Sequence, residues 1–467
     1  MAHLLRITDN NGTVNLNAGN QNLLSYVPKS PNLSLVNYTP ESLRDGGETL
    51  SVTRRNVTES AQVLFGGTAV TDIQAAVGSV EAYLKQAEHY QMYRAGSPVY
   101  MEFQPNGAGT VYRSEILSGK VEVDDLTLSA GQWNRSRVKG LIAYTRRFYW
   151  EDATERAIQL YNGGGTASNG VTVYGHDDAG HDNYVEIAGS SVAGDYPAAM
   201  RLEMQETTGG ETGAMNVYVG HNAFSNPAAM NHIYEAEAAS GAGTKFPDTE
   251  CSNGSVFKST WATSENASRY QWTLPAADMN IYGGQYFGVF ARWGTVPVGN
   301  VKLQLRLSNV YGQALYTGPQ VQASGSVLEK LGVISLPPGQ YAGTSSHASG
   351  VLNLWGQGTA GGTMTLDYLM LMPLDSYKYY NTPDSDSQLL ATHDYLVDDA
   401  LTESLYLEDR SNQYIKIGGW FSQGRSPTLW PGKTQRLYFL WDKAVGAHDI
   451  TQTLKVVASY RPRKLTL

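Results

Sequence analysis

Apolar residues recur at three- and four-residue steps along only one long stretch, 71–90, where Ile73, Ala76, Val77, Val80, Leu84 and Ala87 make a single stripe. The spacing predicts an amphipathic helix. Thr71 or Asp72 can cap its first amides, and Asp72 suits the positive end of the helix dipole. Strand-like runs flank it at 48–55, 99–104, 111–117 and 138–150. In the last run Val138, Gly140, Ile142 and Tyr144 alternate on one face. Segments 4–8 and 13–17 read as a hairpin around Asn11-Gly12. The prolines of 23–40 predict an extended arm or edge strand that can reach a neighbouring subunit. Arg54-Arg55 and Arg146-Arg147 each end a strand in the same T-R-R sequence and are read as exposed strand ends.

Beyond residue 150 the pattern changes to short alternating runs between Gly/Ser/Asn turns. Runs at 157–161, 171–174, 184–188, 200–205 and 215–219 have the spacing of a β-sandwich. A further series lies at 269–274, 283–293, 301–307, 331–336, 351–355 and 364–373, and it predicts a jelly roll complete within 232–377. Segment 375–399 is acidic and turn-rich, the pattern of a linker returning to the previous domain. Runs at 404–408, 414–417, 435–441 and 453–460 then complete the sandwich, which makes the jelly roll an insertion. The expected fold class is mainly β: an N-terminal β-barrel or sandwich with one α-helix, followed by β-sandwich and jelly-roll domains. The expected domains are 1–150, 151–230 with 380–467, and 231–379.

Composition narrows the function. The 467 residues include 49 glycines and 30 tyrosines with only 16% charged residues, in keeping with many short strands and tight turns. A net charge of −9 argues against a nucleic-acid binder. Cys251 is the only cysteine, so no intramolecular disulfide can form, and it reads as a small buried apolar group. The opening MAHLLRITDNNGT lacks the pattern of a signal peptide, and no apolar run approaches the roughly 20 residues of a membrane span.

Catalytic motifs are missing from the sequence. The strings at 162–165 (NGGG) and 356–362 (GQGTAGG) do not follow a strand and open a long helix, as a dinucleotide site requires. His176, Asp177, Asp178, His181 and Asp182 form the densest run of metal-ligating types, and equally an ordinary exposed loop. No two carboxylates are singled out as a glycosidase pair. The chain is expected not to be an enzyme.

Two resemblances add to this reading. Segment 232–377 resembles carbohydrate-binding modules of the β-jelly-roll type, through Tyr234-Glu235-Ala236-Glu237, the Tyr-Gly-Gly-x-Tyr run leading from Tyr282 to Arg292, and Leu366-Asp367-Tyr368. The resemblance implies that Glu235, Glu237 and Asp367 help bind a structural calcium; no cofactor is otherwise required. Sugar binding in such modules uses aromatic faces, and Trp261, Trp293 and Trp355 are the candidates. The whole chain is similar to tail proteins of long-tailed bacteriophages. The hairpin, proline-bearing arm, strand–helix–strand unit and T-R-R-F-Y-W exit strand look like the belt of distal tail proteins and the related tail-tube fold, and Y-R-P-R at 460–463 also fits minor tail sequences. That likeness implies a virion tail or baseplate component made in the bacterial cytoplasm. It would form a homo-oligomeric ring, commonly a hexamer, with tail-tube and tail-tip proteins as partners. The alternative expectation is an adhesin that contacts host-surface glycans through the jelly roll.

Overall fold

In a computed structural model the described residues are 3–9, 11–38, 48–123, 137–163, 165–177, 180–207, 214–223, 232–337, 349–380, 395–408, 414–416, 422–443 and 452–467. The chain is mainly β and forms two compact units. The first comprises Met1–Arg156, Ala193–Pro197 and Arg461–Leu467. Its sheet runs in the order Thr13–Asn15, Leu4–Thr8, Tyr100–Gln104, Tyr112–Val123, Arg137–Arg146, Val57–Gly66, Gln21–Tyr26, and the two end strands do not pair with each other. The helix Val70–Tyr93 lays Ile73, Ala76, Val80, Leu84 and Ala87 onto this sheet, in one core with Phe65, Ile116, Ile142 and Tyr144; Val77 is half-buried. Asp72 does cap the helix start, accepting the amides of Thr68 and Ala69 at 2.8 and 2.9 Å.

The arm divides in two. Gln21–Tyr26 joins the sheet as its end strand, whereas among the described residues Leu33–Tyr38 pairs only with Glu48–Arg54, in a separate two-stranded ribbon. Residues 39 and 40, expected as its end, lie outside the described residues.

The reading of Arg146 as an exposed strand end is overturned. The alternation that buries Val138, Gly140, Ile142 and Tyr144 continues for one more step, so Arg146 also points inward. Its Nη2 donates to Glu59 Oε1 at 2.6 Å, and both side chains are fully buried. Glu59 Oε2 accepts the hydroxyls of Tyr26 (2.7 Å) and Tyr144 (2.8 Å), and Oε1 also accepts the Lys29 amide (2.7 Å). Arg146 returns a bond to the Lys29 carbonyl at 2.8 Å. Burial, reinforced by the Glu59 charge, drives both tyrosine hydroxyls well above their usual range. Residues 26–29, the root of the arm, are thereby fixed. Arg147 is partly exposed and pairs with Glu115 at 2.8 Å, Arg54 is half-buried and Arg55 is exposed.

The second unit, Ala157–Val192 and Ala198–Tyr460, is four sheets deep. The outermost sandwich sheet contains Thr453–Tyr460, Ala198–Glu206, Tyr395–Asp399 and Ser404–Glu408 as consecutive neighbours. The second contains Tyr184–Ile187, Gln435–Lys443, Ala214–Asn222 and Ser376–Tyr380. A core including Met200, Leu202, Val219, Phe439 and Leu454 fills the space between them. The third sheet, of the jelly roll, runs Thr244–Pro247, Ser255–Thr260, Thr363–Pro373, Tyr286–Val298, Leu328–Ser335; the fourth runs Glu265–Leu274, Gly350–Gly358, Lys302–Asn309, Ala314–Gln322. The jelly-roll core, with Tyr270, Val289, Trp293, Leu305 and Leu371, lies between these two.

A third apolar seam joins the sandwich to the jelly roll. Tyr438 and Leu440 of the second sheet pack with Ile233, Phe290, Leu328, Tyr368, Met370 and Met372 of the third. Strands Gln435–Lys443 and Thr363–Pro373 are therefore covered on both faces, which is why LDYLMLMP is nearly continuously apolar. Gly220 sits where a side chain would collide with Met372. Polar groups cross the same seam: Arg292 Nη1 donates to the Gly175 carbonyl at 2.8 Å, Tyr368 donates to that carbonyl too, and Asp442 accepts the Leu328 amide at 2.9 Å.

Segment 375–399 is not simply a linker. Ser376–Tyr380 pairs with Ala214–Asn222, and Tyr395–Asp399 pairs with Ala198–Glu206. Alternating tyrosines favour a strand despite the acidic surroundings. Residues 381–394 lie outside the described residues. A short helix, Ala276–Ile281, was not legible in the spacing.

Two predictions follow from these buried groups. Glu59→Gln or Arg146→Met leaves one partner buried without its counter-charge and is expected to cost about 3–5 kcal/mol in chemical denaturation. The double replacement should cost less than the sum of the two.

The second concerns acid. Burial holds the imidazoles of His221 and His232 down to about 4, from the usual 6.5. His221 bonds Gln435 and Ser376; His232 donates to the Leu371 carbonyl. Their contribution is fully present above pH 6.5 and is lost as pH falls toward 4, on the order of 3 kcal/mol for each ring. Asp442, which burial pushes up to about 6, acts in the opposite direction between pH 4 and 6. The Glu237, Asp278 and Glu329 carboxyls, also raised by burial, act with Asp442. The share of the histidines is therefore read by difference: on acidification from pH 6.5 to 4 the melting temperature of the His221→Gln/His232→Gln variant should fall less, or rise more, than that of the unaltered protein.

Candidate functional site

The acidic residues of the jelly roll meet at its first and last strands. Glu235 ends Ile233–Glu235, but Glu237 lies in the following 3-10 turn, Ala236–Ala238, so the two do not share a strand face. The strand pattern stops because Glu235 is the last residue paired with Thr363–Pro373. Asp367 is the extra residue of a β-bulge, between Arg292 paired with Tyr368 and Trp293 paired with Leu366. There the neighbour on the other side of Thr363–Pro373 changes from Ile233–Glu235 to Ser255–Thr260. Ser252 fills the gap: its amide donates to Asp367 Oδ1 at 2.9 Å and its hydroxyl to Glu235 Oε1 at 2.7 Å. Burial raises the Glu237 carboxyl, and the charge of Asp367 raises it further. Among the described residues, no group of three or more His, Cys, Asp or Glu side chains is placed to hold a metal ion. Ser252 donors link Glu235 to Asp367. The His176–Asp182 run, of which residues 178 and 179 lie outside the described residues, brings the His176 and His181 rings to 4.8 Å, with His176 buried.

The three tryptophans occupy different environments. Trp261 is fully buried beneath the glycines of 356–362, and a Cβ on Gly358 would stand 2.6 Å from its ring. The guanidinium of Arg269 lies 4.5 Å from its centroid. Trp293 is also fully buried, in the jelly-roll core, beside the buried carboxylate of Glu329. Neither indole presents a face to a ligand: both fall on the inward phase of the packing, which the isolated motif does not reveal. Trp355 is half-buried on the outward face of the fourth sheet. Arg306 lies over it at 3.7 Å.

That outward face is ordered by cross-strand register. Ser268, Trp355, Gln304 and Gln320 form one row across the four strands. Adjacent rows carry Gln357 with Lys302, and Asn353 with Arg306. The signal was present in VKLQLRL, where Leu303, Leu305 and Leu307 are buried and Lys302, Gln304 and Arg306 face outward.

No protein-family model matches the chain, and no curated protein matches it. Its structural neighbours include phage hub and baseplate proteins and carbohydrate-binding modules. The Dit protein of phage SPP1, described as a paradigm of the hub adsorption apparatus in phages infecting Gram-positive hosts, overlaps at a TM-score of 0.34 with 6% identity, covering 98% of each chain. A chain of the phage P2 baseplate in its activated conformation with calcium gives 0.28 with 9% identity, covering 76% of this chain and 98% of that one. A tandem of carbohydrate-binding modules from Paenibacillus barcinonensis gives 0.20 with 11% identity, covering 54% and 98%. At these scores none of them carries an argument about what this chain does.

The Ser252 link is directly testable. Ser252→Ala removes the hydroxyl donor to the half-buried carboxylate of Glu235 and should cost about 1 kcal/mol, read as a lower melting temperature.

Proposed function

We propose that this chain is a structural component of a bacteriophage tail tip or baseplate, and that its first unit assembles into a homo-oligomeric ring, of six copies, joining the tail tube to the tip. The role is one of assembly, not catalysis. Its partners are further copies of itself and other tail proteins. The observation that supports it most is the unfinished state of the arm. Leu24, Val27 and Leu33 are exposed along it, at 49%, 75% and 49%. Among the described residues, Leu33–Tyr38 and Glu48–Arg54 pair only with each other. A two-stranded ribbon has little stability of its own, and open strand edges invite pairing with another chain. A neighbouring copy would cover both, and a rotationally closed repeat of that contact is a ring. The T-R-R-F-Y-W sequence and the belt-like order of elements agree with this reading.

Native mass spectrometry and negative-stain images of the full-length protein test it. A closed ring is expected, and Leu24→Asp/Val27→Asp should convert it to monomers with an unchanged far-UV spectrum. A protein that stays monomeric at high concentration, alone and with tail-tube and tail-tip partners, would refute the proposal.

A further inference from the structure

The sandwich core holds an ion pair that its surroundings do not favour. Lys378 of Ser376–Tyr380 lies in the second sheet and Asp398 of Tyr395–Asp399 in the outermost one, so the pair spans the two sheets. Lys378 Nζ stands 2.7 Å from Asp398 Oδ1, with the side chains 12% and 2% exposed. The cross-strand neighbours are apolar: Leu202 and Leu405 flank Asp398, and Val219 lies beside Lys378. All three belong to the core between the sheets. Charges held there give up hydration that their mutual attraction only partly offsets. Lys120–Glu122, by contrast, is exposed at 69% and 51%.

Two hydroxyls complete the cluster. Ser426 Oγ accepts from Lys378 Nζ at 2.8 Å and donates to Asp398 Oδ1 at 3.0 Å, a relay from amine to carboxylate. Tyr380 donates to the other oxygen, Oδ2, at 2.7 Å. A nucleophile, a carbonyl carbon, a proton relay and a donor for a developing oxyanion thus meet in one largely water-excluded place. Arg146, paired with Glu59, carries a comparable buried charge, but its guanidinium stays protonated and is no nucleophile.

We propose that Lys378 and Asp398 condense to an intramolecular isopeptide bond that ties the two sandwich sheets together covalently. A proton passes from the ammonium through Ser426 to Oδ1, leaving a neutral amine and a carboxylic acid. The Nζ lone pair attacks Cγ, and Oδ2 takes up negative charge against the Tyr380 hydroxyl. A second proton follows the same relay, the Cγ–Oδ1 bond breaks, and Oδ1 leaves as water. The ammonium protons end as the amide N–H and the two of the water, so the step balances without a co-reactant. The proposal does not depend on ring assembly.

Mass spectrometry of tryptic digests of the denatured full-length protein tests it. Trypsin should fail to cut after Lys378, so that 331–410 is recovered as a single, internally linked peptide. That peptide should be lighter than its sequence by one water molecule. Lys378→Arg should yield 331–378 and 379–410 separately and at full mass, because a guanidinium keeps the ion pair and not the reaction. Tyr380→Phe should slow formation of the bond about a hundredfold in freshly synthesised protein. Complete cleavage after Lys378 in the unaltered protein would overturn the proposal, and so would a loss of water that persists in Lys378→Arg. An unslowed Tyr380→Phe would overturn the assigned mechanism.

Discussion

The organisation of the second unit depends on a single seam, where the outer face of a sandwich sheet and the outer face of a jelly-roll sheet bury each other. Each of those sheets already has a core on its other side, so residues 437–442 and 366–373 have no side turned to water. Every polar group that falls between them must be satisfied in place. Arg292 and Tyr368 share the Gly175 carbonyl, Asp442 takes the Leu328 amide, and His232 bonds the Leu371 carbonyl. The motif strand that resembles a carbohydrate-binding module thus spends its arginine on docking to the sandwich, not on a ligand.

The sequence disclosed periodicity well and interior chemistry poorly. The helix stripe from Ile73 to Ala87 and the alternation from Val138 to Tyr144 were plain, because apolar spacing is a direct image of one buried face. Arg146 follows phase over residue type: a charged side chain one step further along the same alternation still points inward. What made that possible, Glu59, lies 87 residues away and becomes its neighbour only through strand pairing. The candidate site shows the same limit. Three tryptophans look alike in the string, and only register separates Trp355 on an open face from Trp261 and Trp293 inside the core. Glu237 could not be placed because a 3-10 turn, invisible to a two-residue pattern, ends the strand at Glu235.

The two units expose different chemistry. In the first, the exposed large apolar side chains include three along the arm, Leu24, Val27 and Leu33, at the point where the chain leaves the sheet. In the second, the outward rows of the fourth sheet are amide-rich and cationic. Apolar surface favours permanent partners, and rigid polar surface favours exchangeable ones. Rooting the arm in the Glu59–Arg146 network sets the direction in which it leaves.

The seam also has a mechanical side. A domain hung on a flexible tether yields to a pull at once, since only the tether must straighten. Here a load applied to the jelly roll would be borne at once by the packed side chains of Tyr438, Phe290 and Met370 and by the Arg292–Gly175 clamp. Such a joint resists until all of those contacts part together. It would transmit a tug at the surface of the jelly roll into the sandwich rather than absorb it.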